Sequence, residues 1–182
     1  MLGAMDTQEF WTLIDDARAQ VAHAADAEAV AARAADLLSA RPVDEIVAFQ
    51  QVFWDLMAAS YRQPLWAAAY TINGGCSDDG FDYFRGWLIA QGREVFDRAV
   101  ADPDALAGLS AVRDAAVEGW EMECEEALGI AWDAHLAATG KELPGDSFTI
   151  RYPELDPGWD FDFDDTGEIA RRLPRLAALY GE

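Results

Sequence analysis

Positive charge is what this sequence has least of: Lys141 is its one lysine, and 13 basic residues stand against 34 acidic ones, a formal charge of −21. Such a field repels phosphate backbones and anionic lipid, which argues against direct nucleic-acid binding and against a membrane surface. The expected partner is a small molecule or a protein, and it should be neutral, cationic or bridged by a metal. Cysteine is nearly as scarce. Cys76 and Cys124 make neither a disulfide framework nor a Cys-x-x-Cys zinc site, so free thiols in a reducing, cytoplasmic setting are expected. His23 and His135 lie far from Cys76 along the chain, which leaves zinc short of ligands. Also missing are an apolar run long enough to span a bilayer, a basic-then-apolar leader, a phosphate-cradling Gly-rich loop, a Ser-His-Asp order and a zinc-binding helix signature.

What is present is apolar and helical in period. With 182 residues, 52% of them hydrophobic, and seven Trp, the chain suits one domain with a real core. Asp6 to Glu9 has the spacing of a capping box, and Phe10, Leu13, Ile14, Ala17 and Val21 then mark one face of a helix running to about His23. Asp26 opens an alanine-rich helix that ends before Pro42, and Pro42 suits the first turn of a third, with Ile46, Phe49, Phe53 and Met57 as its stripe. Pro64 starts a short helix, Arg93 to Ala101 makes another, and the period continues from Ala111 to about Thr139 as the longest of all. Residues 140–165 read as an extended acidic segment, and Ser147 to Tyr152 is the only β-branched and aromatic run. Thr166 to Tyr180 is a final helix broken at Pro174. The sum is an all-α, single compact domain of about seven or eight helices over residues 6–182, with residues 1–5 a disordered N-terminus or tag remnant. From Pro153 to Glu168 there are seven carboxylates and no basic residue. Trp159, Phe161 and Phe163 alternate with them and are expected to pack on the helical body, since rings of that size are not left in water.

The chain is organised around Tyr70 to Gly92. Asn73-Gly74-Gly75 closes one helix through a residue at positive φ, and Ser77, Asp78 and Asp79 supply N-caps for the next, whose core face is Phe81, Phe84, Trp87 and Leu88. Asn73, Cys76, Asp78, Asp79, Asp82 and Arg85 crowd this turn. On a wheel for the long helix, Val117, Trp120, Cys124, Leu128, Ala131 and His135 share a face, with Glu121 and Glu125 at its edge. Phe84, Trp87, Leu88, Trp120 and Leu128 are therefore expected in the core.

The run N-G-G-C-S-D-D-G-F-D-Y-F-R-G-W-L-I-A-Q-G, together with Phe10 to Ile14 and the E-C-E-E of Glu123 to Glu126, resembles the signature of an uncharacterised bacterial domain-of-unknown-function family. The resemblance spans Phe10 to Tyr180 and implies no activity. Some members of that family carry the domain beside a WGR module, which points towards nucleic-acid biology; no such module is seen in this sequence.

Two uses of the turn follow from its residue types. In the first, Asn73, Cys76, Asp78, Asp79, Asp82 and Arg85 form a polar pocket with Glu121 and Glu125, Arg85 being the internal counter-charge, and the domain is a small acidic ligand- or protein-binding module, a monomer or small homo-oligomer. In the second, Asp78, Asp82, Glu121 and Glu125 hold a divalent metal such as Mg2+ for hydrolysis of a phosphate ester or nucleotide. A nucleic-acid mimic that offers its carboxylates to a basic protein is a third use. The plain alternative is capping by Ser77 and Asp79, an ordinary i,i+3 pair between Asp82 and Arg85, and glutamates at the solvent boundary. Cys76 precedes a helix start, where a thiolate gains stability, but Asp78 and Asp79 oppose it and no histidine is near in sequence.

Overall fold

A computed structural model describes residues 4–181. Among these residues the chain forms ten α-helices and three short 3-10 turns, with no strand. The all-α expectation holds, and the count exceeds the seven or eight anticipated. Residues 1–3 of the expected disordered stretch lie outside the described residues, whereas Met5 is buried against the core.

The first helices start as their sequences dictate. In α1 (Thr7–Ala19) Asp6 Oδ1 accepts from the Glu9 N–H and Glu9 Oε2 accepts from the Asp6 N–H, a reciprocal capping box. Asp26 caps α2 (Ala27–Ser39), whose alanines let its neighbours approach closely. Helix α3 (Val43–Ser60) buries Ile46, Phe49, Phe53 and Met57, and Phe49 stacks on Phe10 at 4.5 Å. Helix α4 (Gln63–Asn73) ends at Gly74, φ +66°, the left-handed residue anticipated from Asn-Gly. Ser77 caps α5 (Asp78–Ala90), and α6 (Arg93–Ala101) follows directly.

Helix α5 is the centre of the molecule. Phe81 and every residue from Phe84 to Ala90 are buried, so the helix beyond its first two turns is covered on all sides. At Gly86 an added Cβ would stand 2.6 Å from the Cys124 carbonyl oxygen and 2.9 Å from Leu128 Cδ1. Glycine is therefore required there, and its absence of side chain is what lets residues 124–128 lie against the helix.

The expected long helix from Ala111 to Thr139 is two helices, α7 (Ser110–Glu118) and α8 (Ile130–Thr139). Gly119 adopts φ +74°, and the N–H groups of Gly119 and Trp120 both turn back to the Ala115 carbonyl, a Schellman closure. Beyond it Glu121 and Glu125 would repel at i,i+4 with no base between them. The chain instead runs without helix from Trp120 to Cys124 and then makes a 3-10 turn, Glu125–Gly129. The break corrects two core assignments. Trp120 is 59% exposed and Leu128 only half-buried, while Phe84, Trp87 and Leu88 are buried as expected.

The C-terminal part closes over this body. Ser147 to Tyr152 forms no strand, yet Thr149 is paired as a strand residue would be: its N–H donates to Gln51 Oε1 (2.8 Å) and its carbonyl accepts from Gln51 Nε2 (3.2 Å). His135 sits in the core with Nδ1 2.8 Å from the Lys141 carbonyl oxygen. Helix α9 (Thr166–Arg172) leads to α10 (Pro174–Tyr180). The cap of α10 comes from far upstream, as the buried carboxylate of Asp104 accepts from the N–H groups of Arg175 (3.1 Å) and Leu176 (2.9 Å). Removing it would strand the buried Leu176 donor and the part-buried Arg175 donor, so Asp104→Ala should cost about 1–3 kcal/mol in urea denaturation. A loss below about 0.5 kcal/mol, the range of an ordinary surface change, would mean the cap is dispensable.

Candidate functional site

The turn between α4 and α5 splits its residues into two groups. Asn73 faces the chain that replaced the long helix: its Oδ1 accepts from the Met122 N–H (2.8 Å) and its Nδ2 donates to the Met122 carbonyl (3.1 Å). Ser77 accepts from the Gly80 N–H, while Asp78 and Asp79 stand exposed on the first turn of α5. Capping and helix-dipole complementarity account for those three. Cys76 is half-buried, its carbonyl accepts from Trp66 Nε1 (2.9 Å), and burial pushes its thiol up to about 12. Such a thiol is almost wholly protonated near neutrality.

Asp82 and Arg85 belong to a different construction. Arg85 is fully buried, and its guanidinium donates to the Met57 carbonyl (2.6 Å), to the Phe81 carbonyl (3.2 Å) and to Asp82 Oδ1. The plane lies 4.4 Å from the Phe81 ring centroid and 5.2 Å from that of Tyr61. Phe81 in turn stacks on Trp66 at 4.7 Å. The other oxygen of Asp82 accepts from the Tyr152 hydroxyl at 3.0 Å, and Tyr152 meets Tyr61 edge-on at 5.0 Å. Burial drives the Asp82 pKa upward against the pull of Arg85, and drives the Arg85 pKa downward against the pull of Asp82. Tyr152 is pushed up to about 12, first by burial and then by the Asp82 charge. Every polar arm of this pair is met by the protein itself. Its work is to lock the extended tail onto α5.

The glutamates anticipated as companions are not joined to the pair, although the Glu121 charge is felt at Cys76. Glu121 and Glu125 are exposed, and neither is hydrogen-bonded or ion-paired to Arg85. Glu125 instead raises the pKa of the Tyr83 hydroxyl, by its charge above all. Among the described residues no three His, Cys, Asp or Glu side chains gather as a metal ion would need, so Asp78, Asp82, Glu121 and Glu125 are not assembled. The partners of the Asp82–Arg85 pair that sequence reasoning missed are Tyr61 and the Met57 carbonyl for Arg85 and Tyr152 for Asp82. Nothing in the sequence announces a backbone acceptor or a tyrosine 70 residues away.

A second feature lies on the far flank of α4. Trp159, Phe161 and Phe163 are half-buried against the body, as their alternation implied. Arg172 lies over two of these rings, 4.9 Å from Trp159 and 4.7 Å from Phe161, and donates to the Gly158 carbonyl. Phe163 meets Tyr70 edge-on at 5.6 Å, and the Tyr70 hydroxyl donates to Asp164 Oδ1 at 2.7 Å. Between α4, the tail, α9 and α10 there remains a cleft of about 500 Å3, walled by Tyr70, Thr71, Phe163, Ile169, Ala177 and Tyr180. Of its side chains only Tyr70 stands out in sequence as a pocket or core aromatic, and nothing there joins it to the tail, because the two walls lie some ninety residues apart.

Comparison with known proteins adds one finding. The family model described as "Protein of unknown function (DUF4240)" matches residues 5–136, which include the whole central turn and α5. No curated protein and no solved structure matches.

Proposed function

Since the chain belongs to this family of unknown function, we propose from its geometry that it is a small-molecule-binding module whose ligand enters the cleft between α4 and the C-terminal segment. The observation that carries the reading is the cleft itself. At about 500 Å3 it has the size, the largely apolar and aromatic walls and the few polar groups of a ligand site. The central turn gives Gly74 to the lining and otherwise contributes by anchoring, for Asp82 and Arg85 hold Tyr152, and through it the tail that supplies Phe163 and Asp164. A cytoplasmic setting accords with two free thiols held protonated by burial.

An NMR titration tests this. Benzyl alcohol at millimolar concentration should shift the amides of Tyr70, Thr71, Gly74 and Ala170, and these shifts should vanish in Ala170→Trp, which fills the cleft from an exposed position. Shifts centred on Asp78 to Arg85, or shifts unchanged by the filling substitution, would move the site away from the cleft.

A further inference from the structure

Resting on the cleft as the binding site, we infer that its ligand is an organic ammonium ion, a quaternary or alkylated amine with apolar substituents. Three aromatic rings, Tyr70, Phe163 and Tyr180, contribute to its walls, and Asp164 is the one carboxylate among its lining residues, which include no lysine, arginine or histidine. The face of an aromatic ring carries negative charge density, and several rings round one cavity with an acid beside them favour a cation that has shed its water. A neutral apolar guest would leave the Asp164 charge, which Tyr70 meets at one oxygen only, without a counter-charge, and an anion would meet it as a repulsion. A bare metal ion would find one carboxylate where it needs several oxygen ligands.

Two further observations point the same way. The Tyr70 hydroxyl is committed as donor to Asp164 Oδ1, and that bond, more than the nearby carboxylates, raises its pKa, so the phenol stays neutral and holds the carboxylate beside the aromatic wall. The Asp164 N–H bonds Asp162 Oδ1, which fixes the loop that presents the carboxylate, and Asp164 is in no ion pair among the described residues. The same tail already accommodates one cation on its rings, the Arg172 guanidinium over Trp159 and Phe161. Around all of this lies a net charge of −21, which raises the local concentration of any cation at the mouth.

The test is a matched set of probes followed by NMR: choline, its neutral isostere 3,3-dimethylbutan-1-ol, and the anion 3,3-dimethylbutanoate. Choline should bind at the cleft amides at least tenfold more tightly than the neutral isostere, and the butanoate should not bind. Asp164→Asn and Phe163→Leu should each weaken choline at least tenfold while leaving the circular dichroism spectrum unchanged; Asp164 is exposed, so its amide variant is expected to fold. Equal affinity for choline and the neutral isostere would overturn the ammonium assignment and leave the cleft as a binding site. Failure of both to bind would remove the cleft reading as well. Choline binding that survives Asp164→Asn undiminished would place the cation elsewhere and overturn the assignment.

Discussion

Replacing Arg85 with alanine should lower stability by about 3–5 kcal/mol, because it breaks a buried ion pair from one side only. The side chain is fully buried, and its loss would leave the Met57 and Phe81 carbonyls without this donor and Asp82 without its counter-charge. Asp82 would then carry its charge in a half-buried place with only the Tyr152 hydroxyl to meet it. Urea denaturation gives the measurement, with Arg33→Ala as the exposed control, expected to cost no more than about 1 kcal/mol. An Arg85→Ala loss no larger than the control would mean that the guanidinium is dispensable and that Tyr152 holds the tail without it.

Phe81→Ala is the other large effect, about 3–5 kcal/mol for an aromatic ring taken from a closed core. Phe81 is fully buried, stacks on Trp66 and lies under the Arg85 guanidinium. Its two roles are separable by a double-mutant cycle. Since each residue loses part of its purpose without the other, the Phe81→Ala, Arg85→Ala pair should cost less than the sum of the singles by at least about 0.5 kcal/mol. Strict additivity would show that ring and guanidinium act independently, and that the contact between them contributes only shape.

Much of the framework can be read from local chemistry. The capping box at Asp6 and Glu9, the left-handed stop at Gly74, the Ser77 cap and the Asp82–Arg85 pair are all short-range devices, and each is in place. The failure at Gly119 has a specific reason. Helical period survives across Ala111 to Thr139 because the residues beyond the break, Met122, Cys124 and Ala127, are also buried, though not as a helix. Periodicity cannot distinguish the two cases, whereas Gly119 set among five glutamates between positions 118 and 126 with no base among them carries the warning. For the site, the turn was recognised as special, but its meaning depends on contacts between distant parts: Asn73 with Met122, Asp82 with Tyr152, Tyr70 with Asp164. A sequence displays such groups without pairing them, so spacing offers Glu121 and Glu125 as companions and gives no sign of Tyr152.

The distance along the chain between the two walls of the cleft has a consequence for how the protein is made. Tyr70 and Thr71 leave the ribosome well before Phe163 and Tyr180, which complete the enclosure. A domain folds as a unit, so the flank of α4 has no partner until Phe163 to Tyr180 have emerged. Competence to take a ligand therefore arrives late in biosynthesis, when the tail docks. On the proposed reading, a ligand present at that moment would shift the equilibrium towards the docked form by mass action.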